Sequence, residues 1–307
     1  MRVGSKVKTT TLLVDANNLF MRAFFALPRS LSSVGVGSTG AIVGVLQSLK
    51  LLIETYLPAE TIIVWDGSPT WRRKIYPEYK RRKSSLDEET VQTIRQQREF
   101  LSTDILPRLG FVQYRHEDFE ADDFIAYFAL ERFNEGGSVV ILSTDHDFWQ
   151  LVRPRLIVID PIGKFKVSKK FFKESTTFSS PEFFLDHKII CGDRGDNVPV
   201  VKGLSGEKRF QKYLPVLQRN HLSHLCRWEH SSRWPKEFRN YYDPLFMNWQ
   251  LVDLTHAASW ITPRIVRSSE SERFPFPTRG KIYDLAVEYG LMEMSTNVDD
   301  WYRLLNS

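Results

Sequence analysis

The sequence predicts an α/β protein with a mostly parallel central sheet and a helical C-terminal part. Three observations carry this. Short β-branched apolar runs alternate with helical patterns over the first half of the chain, three of those runs end in an aspartate, and strand signals fade beyond Asn197. In order, residues 11–14, 61–65, 138–142 and 156–159 read as buried strands. Between the first two, residues 40–57 place Ile42, Val45, Leu46, Leu49, Leu52, Ile53 and Tyr56 at steps of three and four, the stripe of a core-packed helix. Residues 89–106 carry a sparser stripe (Val91, Ile94, Leu101, Ile105), and residues 120–133 open with acids, which suits the N-terminal end of a helix dipole. Further helices are expected at 208–218, 248–254, 281–292 and 298–305.

Composition narrows the class. A chain of 307 residues can bury a full core without staples, and Cys191 and Cys226 are too few for a disulfide framework. No signal-peptide pattern precedes the first strand, and no apolar run approaches membrane-spanning length, so an intracellular, cytoplasmic setting with no membrane role is expected. The net charge of +5 permits a polyanionic partner without demanding one.

The acids point to chemistry. Asp15, Asp66 and the pair Asp145 and Asp147 follow three strands, and ligands of open α/β sheets bind outside the carboxyl ends of the strands. A single such aspartate is as readily a turn or helix cap, but three converge. Glu120, Asp122 and Asp123 at a helix start, and Asp193 and Asp196 in a turn, bring the candidates to nine. Two carboxylates about 4 Å apart repel by roughly 4 kcal/mol at an effective dielectric near 20, so such a cluster needs cations. Oxygen ligands without a His or Cys set favour Mg²⁺ or Mn²⁺ over zinc, and a pair of such ions serves phosphoryl transfer. Nuclease, phosphatase and polymerase stay open at this point. The stretch Gly35-Val36-Gly37-Ser38-Thr39-Gly40 lacks the lysine of a Walker loop, which weakens a nucleotide triphosphatase reading.

A basic run, residues 72–83, follows the Asp66 strand with seven cations, one acid and two tyrosines. A solvated charged face is the ordinary reading of such a run. Its position beside the acids fits phosphate binding, with Tyr79 offering a ring to a base. The mixed stretch 227–242 reads as packing ahead of DNA contact.

Taken together, Val14-Asp15-Ala16-Asn17-Asn18-Leu19, Tyr76-Pro77-Glu78-Tyr79-Lys80, Glu120-Ala121-Asp122-Asp123, Ser143-Thr144-Asp145-His146-Asp147 and Gly192-Asp193-Arg194-Gly195-Asp196-Asn197 resemble the motifs of the 5′ nuclease (flap endonuclease) family, over roughly residues 12–292. The resemblance implies a PIN-like nuclease core (1–180) with a helical arch at about 80–106, and a helical region (181–307) with a helix-three-turn-helix that grips duplex DNA. It implies hydrolysis with two Mg²⁺ or Mn²⁺ ions at 5′ flaps and at nicked or gapped duplexes, with RNA–DNA hybrids as further substrates. Asp15, Asp66, Glu120, Asp122 and Asp123 match ligands of the first metal region, and Asp145, Asp147, Asp193 and Asp196 those of the second. Lys80 matches the catalytic lysine; Arg72 and Arg22 match basic positions facing the scissile phosphate, and Tyr79 a base-stacking aromatic. Arg81, Arg82, Lys83, Lys202, Gly203, Gly206 and Lys208 are implied DNA contacts. A monomer in a bacterial or phage-infected cell is implied, with a single-strand-binding protein or sliding clamp as partner.

Two departures stand out. His146 lies between Asp145 and Asp147, where relatives commonly have Gly or Lys, and is expected at the surface. Gly203-Leu204-Ser205-Gly206-Glu207-Lys208 has one residue more than the family's hairpin, which bears on the K⁺ site of some relatives. A PIN-like ribonuclease and a DNA-binding module without catalysis are the alternative readings.

Overall fold

The computed structural model describes residues 9–27, 32–33, 37–81, 86–161, 166–174, 178–227, 231–272 and 274–306. The first half runs β1 (Thr10–Asp15), α1 (Ala16–Ala26), the small hairpin β2 (Ser32–Ser33) and β3 (Gly37–Ser38), α2 (Gly40–Tyr56), β4 (Glu60–Val64), α3 (Thr70–Ile75) and α4 (Glu88–Phe100). A π-helical turn, Leu101–Ile105, leads into α5 (Leu106–Arg108), β5 (Val112–Tyr114), α6 (Ala121–Asn134) and β6 (Ser138–Leu142). A 3₁₀ turn, His146–Leu151, then precedes β7 (Leu156–Ile159), β8 (Lys166–Val167) and α7 (Lys169–Glu174). Helices follow: α8 (Pro181–Cys191), α9 (Glu207–Leu217), α10 (Leu222–Leu225), α11 (Lys236–Arg239), α12 (Tyr242–Val252), α13 (Leu254–Ala258), α14 (Pro263–Ser269), α15 (Arg279–Glu288), α16 (Met292–Thr296) and α17 (Val298–Leu305). Among the described residues, no helix is long and apolar enough to cross a membrane.

Apart from the β2–β3 hairpin, the strands form one sheet in the order β5-β4-β1-β6-β7-β8, parallel except for the edge strand β8. Alternation along the strands sends side chains to opposite faces. Leu12, Val14, Ile63 and Val140 join α1, α2 and the C-terminal helices, with Ile282, Leu285 and Trp301 in the same core. Leu13, Ile62, Val64 and Ile141 join α6 and α13 on the other face. A third core holds α8, α9 and α12 together with Tyr79. In register, Asp15 lies opposite Val64 and Val14 opposite Leu142, so the acids after β1, β4 and β6 emerge at one edge, where the chain's strand order reverses about β1.

The expected strands match to within a residue. The stretch 89–106 is not one helix: the Leu106 amide bonds to Leu101 five residues back, just before Pro107, which has no amide to continue the ladder. The stretch 248–254 is broken at Asp253, whose carboxylate caps α13 through the Thr255 and His256 amides. Helices α1, α3 and α8 were not expected. Of the 227–242 stretch, Trp234 is buried as anticipated and Trp228 lies outside the described residues.

Candidate active site

Asp15, Asp66 and Asp145 are each held by backbone amides that they also cap. Asp15 ends β1 and starts α1; Oδ1 accepts the Asn18 amide at 3.1 Å and Oδ2 the Ser143 hydroxyl at 2.8 Å, which ties the ends of β1 and β6. Asn18 reinforces the tie by accepting from the Thr144 amide and hydroxyl. Asp66 accepts the Ala121 amide at the start of α6 (2.9 Å) and the Asn17 side-chain amide (2.5 Å). The chain can turn there because residue 67 is glycine: a Cβ would lie 1.7 Å from the His116 carbonyl oxygen. Asp145 caps the 3₁₀ turn through the Asp147 amide.

Asp15, Asp66, Asp122 and Asp145 thus line one cavity of about 770 Å³, together with Asn17, Arg22, Lys80 and Arg98. Burial, then the neighbouring Asp66, pushes the Asp15 carboxyl up to about 7. Burial and Asp145 push Asp122 well above the carboxylate range. Asp147, Asp193 and Asp196 form a second group, each offering an oxygen within 4.8 Å of the others. The structure therefore regroups the acids: Asp145 stands with the first set, and the second is Asp147, Asp193 and Asp196.

Lys80 spans the two groups. It sits at a left-handed φ of 49°, its amide donates to the Asp196 carbonyl, and its ammonium lies 2.6 Å from Glu120 and 3.5 Å from Asp196. Burial opposes its charge, but Tyr79, Glu120, Asp122 and Asp196 outweigh that and hold it well above the ordinary lysine range. Lys188, on the last turn of α8, was not anticipated. It bonds Asp147 and lies 2.7 Å from Asp193, so a side-chain cation is already among the second group. Its signal was its place one turn before Gly192-Asp193 on a helix that the pattern did not reveal.

Three candidates stand inside the protein rather than on the open cleft. Arg72 does not face the cleft: it is 2 % exposed, bonded to Glu120 at 2.7 Å and to both oxygens of Asp123 at 2.7 and 3.1 Å, with Nε on the Leu251 carbonyl. Asp123 is fully buried and also receives Trp71 Nε1 and the Glu120 amide. Tyr79 is 3 % exposed, with its hydroxyl on Glu120 and Asp196 and its ring packed in the third core. Glu120 is engaged by Arg72, Lys80 and Tyr79 and stands behind Lys80. Among DNA-contact candidates, Arg22, Lys202, Gly203, Gly206 and Lys208 are exposed, Arg81 is exposed and paired with Glu78, and Arg82 and Lys83 lie outside the described residues. Gly203 and Gly206 take φ of 96° and 99° in the loop between α8 and α9, where glycine is required. His146 is exposed and stacks on Trp149 at 4.1 Å.

The donor set fits hard divalent cations: carboxylate oxygens in two groups, raised carboxyls that a cation would relieve, and a buried Asn17 Oδ1 with no hydrogen-bond partner beside Asp66.

Comparison with known proteins agrees. A family profile described as the 5′-3′ exonuclease, N-terminal resolvase-like domain, matches residues 10–179. A 5′-3′ exonuclease of Aquifex aeolicus is 30% identical over 304 residues, covering 96% of each chain. DNA polymerase I of Mycobacterium bovis is 32% identical over 214 residues, covering 68% of this chain but 23% of the polymerase, so the chain spans about a quarter of that relative. Two solved structures share the fold: the T5 D15 protein co-crystallised with metal ions (TM-score 0.64, 19% identity, 95% and 99% coverage) and flap endonuclease-1 from Methanococcus jannaschii (TM-score 0.54, 17% identity, 97% and 93%).

Proposed function

Because the chain belongs to the 5′-3′ exonuclease family, we propose that it is a metal-dependent, structure-specific nuclease that hydrolyses phosphodiester bonds at 5′ ends and branch points of DNA. The observation that carries this is the convergence of Asp15, Asp66, Asp122 and Asp145 on one cleft with Lys80 at its wall. The first cation site is assigned to these four acids and the second to Asp147, Asp193 and Asp196, whose cation must displace or share with Lys188. Two Mg²⁺ or Mn²⁺ ions there would supply water activation and charge neutralisation.

The chain's own residues supply the rest. Lys80, held charged by the surrounding acids, stands where it offsets charge that develops on the scissile phosphate. Arg22, at the cleft wall, holds a flanking phosphate of the strand. Asp66 and Asn17 lock the end of β4 to the starts of α1 and α6, so the acids keep their spacing without reorganisation. No covalent enzyme intermediate is required.

The division of roles falls at residue 180. Residues 1–180 carry the acids except Asp193 and Asp196, with α4 lining the cleft through Ile94 and Arg98, and 181–307 carry the helix–loop–helix α8–α9. Exposed Lys202 and Lys208, with the amides at the start of α9, suit the phosphates of a duplex arm. A 5′-flap duplex incubated with Mg²⁺ should be cut near the junction, and EDTA or Asp145→Asn should abolish cutting. Cleavage confined to single-stranded RNA would replace this reading with that of a ribonuclease.

A further inference from the structure

A second cavity of about 330 Å³ adjoins the cleft and shares Asn17, Asp66 and Arg98 with it; Ser102, Arg115 and Ser271 are on its far wall. Its polar groups are unevenly supplied. The Ser102 and Thr103 hydroxyls are spent on the Glu99 carbonyl and those of Ser268 and Ser269 on the Ile265 carbonyl. Among the described residues the Arg115 guanidinium uses only Nε, on the Asp66 carbonyl, and the Arg98 guanidinium has no hydrogen bond or ion pair. Of the lining carboxylates, Asp66 already receives Asn17 and the Ala121 amide, and Glu270 has an interaction of its own. Burial and then Arg115 push the Arg98 guanidinium below its usual range, with Asp66 only partly opposing them. A ligand that satisfies two guanidiniums must be an acceptor with charge, and phosphate matches their fork geometry. The space suits a strand end rather than a run of nucleotides.

We propose that this cavity receives the 5′-terminal phosphomonoester of the strand being shortened, clamped by Arg98 and Arg115. The proposal rests on the nuclease reading above. The test uses the full chain, Mg²⁺ and single-turnover rates on 3′-labelled duplexes that differ only in a 5′-phosphate or a 5′-hydroxyl. The phosphate should be preferred by about tenfold, and the ratio should fall to within about twofold of unity in Arg98→Gln and in the exposed Arg115→Gln. No preference in the wild type, or an unchanged ratio in both variants, overturns it. So does slowing of phosphate and hydroxyl substrates alike, which would mean that the cavity holds a passing internal phosphodiester. If neither Mg²⁺ nor Mn²⁺ supports any cleavage, the nuclease reading fails. The pocket is then read directly from the binding of pTpT against TpT, where equal affinity in the wild type overturns the proposal.

Discussion

Arg72 shows how far a side chain's task can depart from its place in a motif. It stands in a basic run beside a strand-end aspartate, yet α12 and α6 close over it and commit its guanidinium to Glu120, Asp123 and the Leu251 carbonyl. The acids of the cleft were legible because a strand end fixes where its next residue lies. The burial of Arg72, Asp123 and Tyr79 was not, because it depends on α8 and α12, which come from far along the chain. Replacing Arg72 with Ala strips the fully buried Asp123 of its cation, leaves Glu120 only Lys80 and Tyr79, and should cost about 3 to 5 kcal/mol of stability by denaturant unfolding. Lys80→Ala acts differently: turnover on a saturating flap substrate should fall by about a hundredfold or more, since a preorganised charge at the reacting phosphate is removed.

At the level of elements, the C-terminal helices belong to the main core. Trp301 is fully buried among α2, α15 and α16, with its indole N–H donating to Glu293, which also holds Lys50. Trp301→Ala should cost about 3 to 5 kcal/mol, seen as a lower denaturation midpoint. The strong stripe of 298–305 revealed α17 in the sequence; α8 was hidden because apolar residues surround it on several sides and blur the period. A second element-scale link joins α8 to α10. His221 Nδ1 lies 2.6 Å from Asp186, a bond that outweighs burial and raises the histidine above its ordinary value near 6.5. A raised folded-state value means this stabilisation is complete below the unfolded value and is lost as pH rises through the folded one. Hydrogen exchange of the α10 amides should therefore quicken as pH climbs above about 6.5, beyond the intrinsic base catalysis, and His221→Asn should abolish that extra dependence.

Across the whole molecule, the fold stores electrostatic repulsion at one edge of its sheet. Asp15 is raised to about 7, and Asp122, Asp147 and Asp196 are raised above the ordinary range, in each case first by burial. Without metal the folded chain binds more protons than the unfolded one between about pH 4 and 7, so these groups make it less stable as pH rises through that window. Divalent cations relieve the repulsion by replacing the protons. The increase in Tm on adding Mg²⁺ should accordingly be larger at pH 8 than at pH 5.5, and a constant increase would contradict this coupling. The most direct measurement is a calorimetric titration of Mn²⁺ into the full chain at pH 8. Two equivalents should bind, with one lost in Asp122→Asn and the other in Asp193→Asn. A wild-type chain that takes up one equivalent or none, or variants that bind as the wild type does, would contradict the assignment of these acids to a two-cation catalytic cleft.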